Sequence, residues 1–231
     1  KLQMNHQMTP DTIAYLIAYF IGELKTDKTE KLHVSDLAAG TGNLLNIVLA
    51  HLASRGNEVT AEAVDNDDLL ISVAATHSDS LQELLIAPSD IVVSDFPIGY
   101  YPVNERAKNY QTAFPEGNSF AHFLMFEQNV NYLKESGWGI FIVPSDIFET
   151  DKSSVLMGWL KETVHIQAFL SLPADLFHKN GMKKSIIIVQ KNGEKSIQAE
   201  QVLLGEIPDL KNAQKMQSFL DIFHNWSAKM I

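Results

Sequence analysis

Apolar and polar positions alternate along the chain in stretches that are either strand-length or helix-length. Thr9-Pro10 reads as a helix start: the Thr9 side chain can cap free N–H groups, and Pro10 suits the first helical position. Ile13, Leu16, Ile17, Phe20, Ile21 and Leu24 follow as one apolar stripe at helical spacing. A charged connection, Lys25 to Lys31, leads to a predicted strand over 33–37, a glycine turn and an apolar helix over 44–52. A second strand is predicted over 58–64, stopping at the acidic run Asp65-Asn-Asp-Asp68, with a helix over 69–75. Residues 91–94 read as a buried strand opening into a long loop that runs to Asn118, and long loops in compact domains are often functional. A helix is predicted over 119–133, strands over 139–143, 166–172 and 185–189, and a helical tail over 210–229.

Strands alternating with helices at this spacing imply an α/β fold whose sheet is doubly wound, mostly parallel and covered on both faces. The connection between the last two strands has little room for a helix, so an antiparallel pair is expected at the sheet edge. Ligands in such folds bind beyond the carboxyl ends of the strands, where the strand order switches. The division expected is a helical segment, 1–30, contributing to a pocket; a core, 31–192; and a helical extension, 193–231.

Composition narrows the chemistry. With 231 residues, 45% of them hydrophobic, the chain can build a sizeable core without staples. The absence of cysteine excludes disulfides, thiolate nucleophiles and thiolate zinc sites. The eight histidines are scattered without ligand spacing, so no metal site is expected. The longest apolar runs fall short of the ~20 residues that span a bilayer. No signal-peptide pattern opens the chain, and a cytoplasmic location is the expectation. With 18 basic against 28 acidic residues the net charge is -10. A nucleic-acid binder usually presents a basic face, and here the basic groups are short, such as Lys179 to Lys184. That balance argues against strong autonomous DNA binding.

The segment Asp36-Leu-Ala-Ala-Gly40-Thr-Gly42 stands where a strand gives way to a helix. Its two glycines let a ligand approach the backbone without a Cβ in the way. Leu45 occupies the third glycine position of a dinucleotide fingerprint, and the Gly-Lys-Ser/Thr of a phosphate loop is absent. The D-x-A-x-G-x-G spacing instead resembles motif I of S-adenosylmethionine-dependent methyltransferases. Asp65, at the end of the second strand, is placed to accept hydrogen bonds from two ribose hydroxyls, with a solvated helix cap as its alternative. Asp79 is placed to accept from an adenine amino group. A helix and a third strand should precede Asp79, yet Ala75 to Ser78 leaves too few residues for a strand of ~5. A disordered stretch of the natural chain is therefore expected to be missing from the sequence near Thr76.

Gln7-Met-Thr9-Pro10, motif I, Asp65 and Ser94-Asp95-Phe-Pro97 occur in the order seen in N6-adenine DNA methyltransferases. Leu133-Lys-Glu-Ser-Gly137, Val143-Pro-Ser-Asp-Ile-Phe148 and Leu172-Pro-Ala-Asp-Leu-Phe177 resemble the modification subunit of type I restriction systems. Asp95-Phe-Pro-Ile-Gly-Tyr-Tyr-Pro102 and Glu116-Gly-Asn-Ser-Phe-Ala-His122 are similar to the YtxK-like branch of small bacterial adenine-methylase-related proteins. The resemblance covers most of residues 3–192. It implies a Rossmann-like methyltransferase fold and S-adenosyl-L-methionine as cofactor. Thr9, Pro10, Asp36, Ala38, Gly40, Thr41, Gly42 and Asn43 would line its pocket, Asp65 would hold its ribose, and Asp79 with Ser80 its adenine. Asp95, the carbonyl of Phe96 and Pro97 would hold the target amino group for transfer, a matter of positioning and electrostatics.

The resemblance is incomplete at the reactive segment. The family slot is usually D/N/S-P-P-aromatic, the aromatic ring stacking on a flipped base. Phe96 replaces the first proline and Ile98 the aromatic, leaving Tyr100 or Tyr101 as substitute rings for contacting substrate. Besides an adenine methyltransferase, the sequence therefore allows a non-catalytic cofactor-binding module, or a methyltransferase acting on RNA or a protein glutamine. After Gln190 about 40 residues remain, fewer than a typical domain of ~100. DNA recognition is accordingly expected from a region outside this sequence or from a partner subunit. Other polar residues read as structure: His33 and His165 as sheet residues, Trp138 as packing, Asp146 and Glu149 as unpaired acids, Met125 and Phe126 as a core helix face. Asn118 and His122 are secondary candidates for substrate contact.

Overall fold

Successive residues of one strand point to opposite faces of a sheet, and the middle stretches of the central strands here carry apolar residues at consecutive positions. Ile91 and Val93 pack into one core with Ile140, Ile142, Ile186 and Ile188. Val92 packs into another with Phe141, Val143, Ile187 and Val189. The sheet is therefore buried on both sides. A computed structural model describes residues 9–65, 75–173, 176 and 183–230. Gln7, Met8, the acids Asp67 and Asp68, residues 69–74 of the helix predicted over 69–75, and residues 174–175 and 177–182 lie outside the described residues.

In chain order the elements are α1 (Asp11–Leu24), β1 (Lys31–Asp36), α2 (Asn43–Arg55), β2 (Glu58–Asp65), β3 (Ala75–His77), β4 (Ser89–Asp95) and α3 (Asn104–Ala107). There follow α4 (Ala121–Asn131), β5 (Leu133–Pro144), α5 (Ser153–Thr163), β6 (Val164–Ser171), β7 (Lys184–Lys191), β8 (Leu203–Glu206) and α6 (Ala213–Ser227). The eight strands form one sheet in the order β3-β2-β1-β4-β5-β7-β6-β8. β3, β2, β1, β4 and β5 run parallel, whereas β7 is antiparallel to both β5 and β6. The antiparallel pairing expected near the sheet edge is β6–β7, and β8 adds a parallel strand outside it.

One face is covered by α1, α2 and α6, whose Phe20, Val48, Leu52, Phe219 and Phe223 join the first core. Phe20 and Phe223 stack at 4.1 Å between ring centroids, fastening the C-terminal helix to the first. The other face is covered by α4 and α5 through Phe123, Phe126, Leu156, Trp159 and Leu160. Strand order reverses direction between β1 and β4, so the crevice for a ligand lies beyond the C-terminal ends of those two strands.

Three expectations are corrected. β3 forms from only three residues paired with Ala63, Val64 and Asp65, so the short span before Asp79 does accommodate a strand, and Ala75 is strand rather than helix. The predicted helix over 119–133 ends at Asn131, because Leu133 already pairs with Ser89 at the start of β5. Thr9 does not cap α1: Pro10 holds the N-cap position without a side-chain bond, and the Thr9 hydroxyl reaches Asp95 instead.

Candidate functional site

Parallel strands deliver their last residues to the same edge of a sheet. Asp36, Asp65 and Asp95 each end a strand, and those strands (β1, β2 and β4) are neighbours. Three carboxylates thus gather at the switch point. Asp36 is almost fully buried, and its Oδ1 accepts from the Ala38 N–H and the Ser94 hydroxyl, both at 3.0 Å. Burial pushes its carboxyl up to about 7. The two hydrogen bonds oppose that rise, and the charges of Asp95 and Asp65 add to it.

The glycine turn wraps this cluster. Gly40 and Gly42 have φ of +52° and +75°, the left-handed region that favours glycine. The Gly40 N–H donates to Asp65 Oδ2 at 2.7 Å, and no atom lies within 4 Å of where a Gly40 Cβ would stand. Thr41, between them, is exposed and Ala38 is half-buried. The Asn43 amide donates to the Thr9 carbonyl and to Asp11 Oδ1, each at 2.9 Å, so the first turn of α2 is pinned to the start of α1.

Asp95 is engaged on both oxygens. Its Oδ2 accepts from Thr9 Oγ1 at 3.2 Å and its Oδ1 from Lys184 Nζ at 2.6 Å. Beside it, Phe96 turns inward: the ring stacks on Phe141 at 4.9 Å, meets Phe126 edge-on at 5.7 Å, and its N–H donates to the Ile142 carbonyl. Pro97 is exposed and Ile98 half-buried.

Tyr100 and Tyr101, adjacent in sequence, are separated in space. Tyr100 is 64% exposed, its ring 5.0 Å from Phe120, with an isolated strand-like bridge joining the two residues. Tyr101 is buried and donates to Asp79 Oδ2 at 2.6 Å. Arg106 also pairs with Asp79 and donates to the Tyr101 hydroxyl. Burial, then the bond to Asp79, pushes the Tyr101 phenol up to about 12, with Arg106 opposing. The other Asp79 oxygen accepts from the Leu81 N–H, and the Ser80 hydroxyl donates to the Leu37 carbonyl at the end of β1. Ser80 is thereby fixed to the residue that follows β1, whereas Tyr101 is buried and held by Asp79 and Arg106. His122 is buried with its ring 5.0 Å from Phe120, and burial lowers it to about 4, so it is neutral at pH 7.

Ser94, Arg106 and Lys184 escaped the reading of the sequence. Ser94 was visible only as a neighbour of Asp95, and Lys184 lies 89 positions from its partner. No spacing rule joins residues that far apart. Among the described residues, no group of three or more metal-ligating side chains occurs, and no helix is long and apolar enough to cross a membrane.

A mostly parallel sheet with one antiparallel strand inserted before its outer strands, and acids at the switch-point strand tips, is the fold of the class I S-adenosylmethionine-dependent methyltransferases. The chain belongs to the N-6 DNA methylase family, whose model matches residues 62–225. It is 38% identical over 237 residues to the uncharacterized protein YtxK of Bacillus subtilis (strain 168), covering 97% of this chain and 71% of that one. A Listeria monocytogenes protein assigned to the class I S-adenosylmethionine-dependent methyltransferases superposes with a TM-score of 0.91 at 35% identity, over 98% of this chain and 74% of that chain. The type I restriction-modification methyltransferase subunit of Streptococcus thermophilus gives a TM-score of 0.72 at 14% identity, over 96% and 54% of the two chains. That last likeness is one of fold alone.

Proposed function

We infer that the chain binds S-adenosyl-L-methionine at the β1/β4 switch point and transfers its methyl group to an exocyclic amino group, the N6 of a DNA adenine being the acceptor that the family favours. The observation carrying this reading is the trio Asp36, Asp65 and Asp95 around the Gly40–Gly42 turn. The residues fit the group. Open space over Gly40 admits a ligand against the backbone, and Asp65, at the tip of β2, offers acceptors for ribose hydroxyls.

When bound, the cofactor supplies an electrophilic methyl carbon on a cationic sulfur. Asp65 holds the sugar, and the Asp79–Ser80 segment flanks the adenine. Thr9, Pro10 and Asn43 close the amino-acid end. Asp95 and the Phe96 carbonyl accept hydrogen bonds from the acceptor amino group, aiming its lone pair and stabilising the positive charge the nitrogen gains before it releases a proton. Ile98 and the exposed ring of Tyr100 form the surface against which a planar acceptor rests. The net charge of -10 supports recruitment of DNA through a partner subunit rather than through this chain alone.

One observation favours a second reading, a cofactor-binding module without transfer: both Asp95 oxygens already accept bonds from Thr9 and Lys184. Incubation with methyl-labelled cofactor and DNA, RNA or protein pools separates the two. Adenine labelling that Asp95→Ala abolishes supports the enzyme. Tight cofactor binding with no transfer to any acceptor supports the module, and labelling of RNA or of a protein amide replaces the acceptor. Absence of cofactor binding at millimolar concentration removes the reading altogether.

A further inference from the structure

The Lys184 ammonium lies 2.6 Å from Asp95 Oδ1, with side-chain exposures of only 12% and 13% for the pair. Lys184 opens β7 and stands opposite Pro144 at the end of β5, so it approaches Asp95 from the side of the sheet away from β1. Asp95 is joined in turn to Thr9, and the Thr9 carbonyl to Asn43 at the rim of the glycine turn. A fixed positive charge is therefore wired, through one carboxylate, to the crevice assigned above to a cationic cofactor. In so shielded a place charges interact more strongly than in water.

We propose that Lys184 is a positioning residue whose ammonium offsets the Asp95 charge and so limits how strongly the site prefers the cationic donor, S-adenosylmethionine, over the neutral product, S-adenosylhomocysteine. The physical logic concerns the barrier. Methyl transfer disperses the sulfonium charge, so attraction for that charge that is strongest in the ground state slows the step. Asp65, at the tip of β2, remains to draw the donor in. Lys184 also fixes the carboxylate of Asp95 in one orientation, leaving its remaining lone pairs for the acceptor amino group.

The inference rests on the crevice being the donor site, and titration calorimetry with both ligands tests the two claims separately. Wild type is expected to bind both. In Lys184→Met the ratio of product to donor dissociation constants should rise about tenfold, because an unpaired Asp95 now faces the sulfonium. Lys184→Arg should keep the wild-type ratio, and Asp95→Asn combined with Lys184→Met should return toward it. Should Lys184→Met fold poorly, Lys184→Gln carries the same expectation. A ratio unchanged within about twofold, with both ligands still bound, overturns the role of Lys184 and leaves the donor site standing. Failure of wild type to bind either ligand overturns both.

Discussion

The Ser94 hydroxyl donates to Asp36 Oδ1 at 3.0 Å, joining the tips of β4 and β1 through a carboxyl group that is 1% exposed. Burial is the larger influence on that group, and it outweighs the two hydrogen bonds. A folded-state value of about 7 against 3.8 for the free group means the native protein holds a proton that the unfolded chain has released. Stability therefore falls as pH rises through that window, and the loss is complete above it. Asp36→Asn keeps an oxygen for the Ala38 and Ser94 donors and removes the ionisation. The variant should gain on wild type between about pH 5 and about pH 8, by at most about 3 kcal/mol. Urea denaturation at the two pH values measures it, and an equal difference at both contradicts the assignment.

The same shift links to ligand binding. A cation entering beside Asp36 favours its ionised form, so donor binding near neutral pH should release a fraction of a proton. Calorimetric enthalpies in buffers of different ionisation heat detect this. S-adenosylhomocysteine, lacking the charge, should release less, and equal release from both ligands would count against a cation seated next to Asp36.

Gly40 separates backbone strain from loss of the site. An alanine there meets no neighbouring atom, so its structural cost is that of the left-handed conformation, about 1 to 2 kcal/mol. Gly117 has φ of +76° and equally open surroundings, but it belongs to the loop before α4. Gly40→Ala and Gly117→Ala should therefore destabilise alike in thermal melts. Only the former should weaken donor binding, by about tenfold or more, because its methyl group occupies ligand space. Equal binding by the two variants would show that the turn is merely structural.

How legible these features were depends on their range. The Asp36-to-Gly42 turn, Asp65 and Asp95 announce themselves because a strand that ends in an acid and a glycine is a local pattern. The runs 91–93, 140–143 and 186–189 are legible because consecutive apolar residues mark strands buried on both faces. α5 was missed although Leu156, Trp159 and Leu160 carry helical spacing, since Gly158 interrupts the run. β8 gave no signal at all: its residues are mostly exposed, and only pairing with β6 makes it a strand. The Asp95–Lys184 and Asp79–Tyr101–Arg106 contacts arise when distant segments meet, and nothing in residue order encodes them.

Tyr101 provides a check on the second of those clusters. Its hydroxyl donates to Asp79 at 2.6 Å from a buried ring, and Arg106 stays on the same carboxylate when the hydroxyl is removed. Tyr101→Phe should cost about 1.5 to 3 kcal/mol in urea denaturation, the range for one hydrogen bond to a charged group. A loss below about 0.3 kcal/mol would mean that Arg106 alone satisfies Asp79.

The departure at 96–98 can be tested by restoring the family residues one at a time. Phe96 donates its N–H to the Ile142 carbonyl, and its ring fills space between Phe126 and Phe141. Proline can do neither, so Phe96→Pro should destabilise by about 3 to 5 kcal/mol and restore nothing. Ile98 is half-buried, three residues beyond the end of β4, and lacks a π-face. Stacking a base on an aromatic ring is worth about 1 to 3 kcal/mol, so Ile98→Tyr should raise kcat/KM for adenine methylation about tenfold if base capture limits the reaction. Tyr100→Ala should lower it if that exposed ring already serves as the stacking surface. A wild-type rate in both variants would mean that neither position touches the acceptor. A Phe96→Pro variant as stable as wild type would mean that the ring is not the core element its contacts describe.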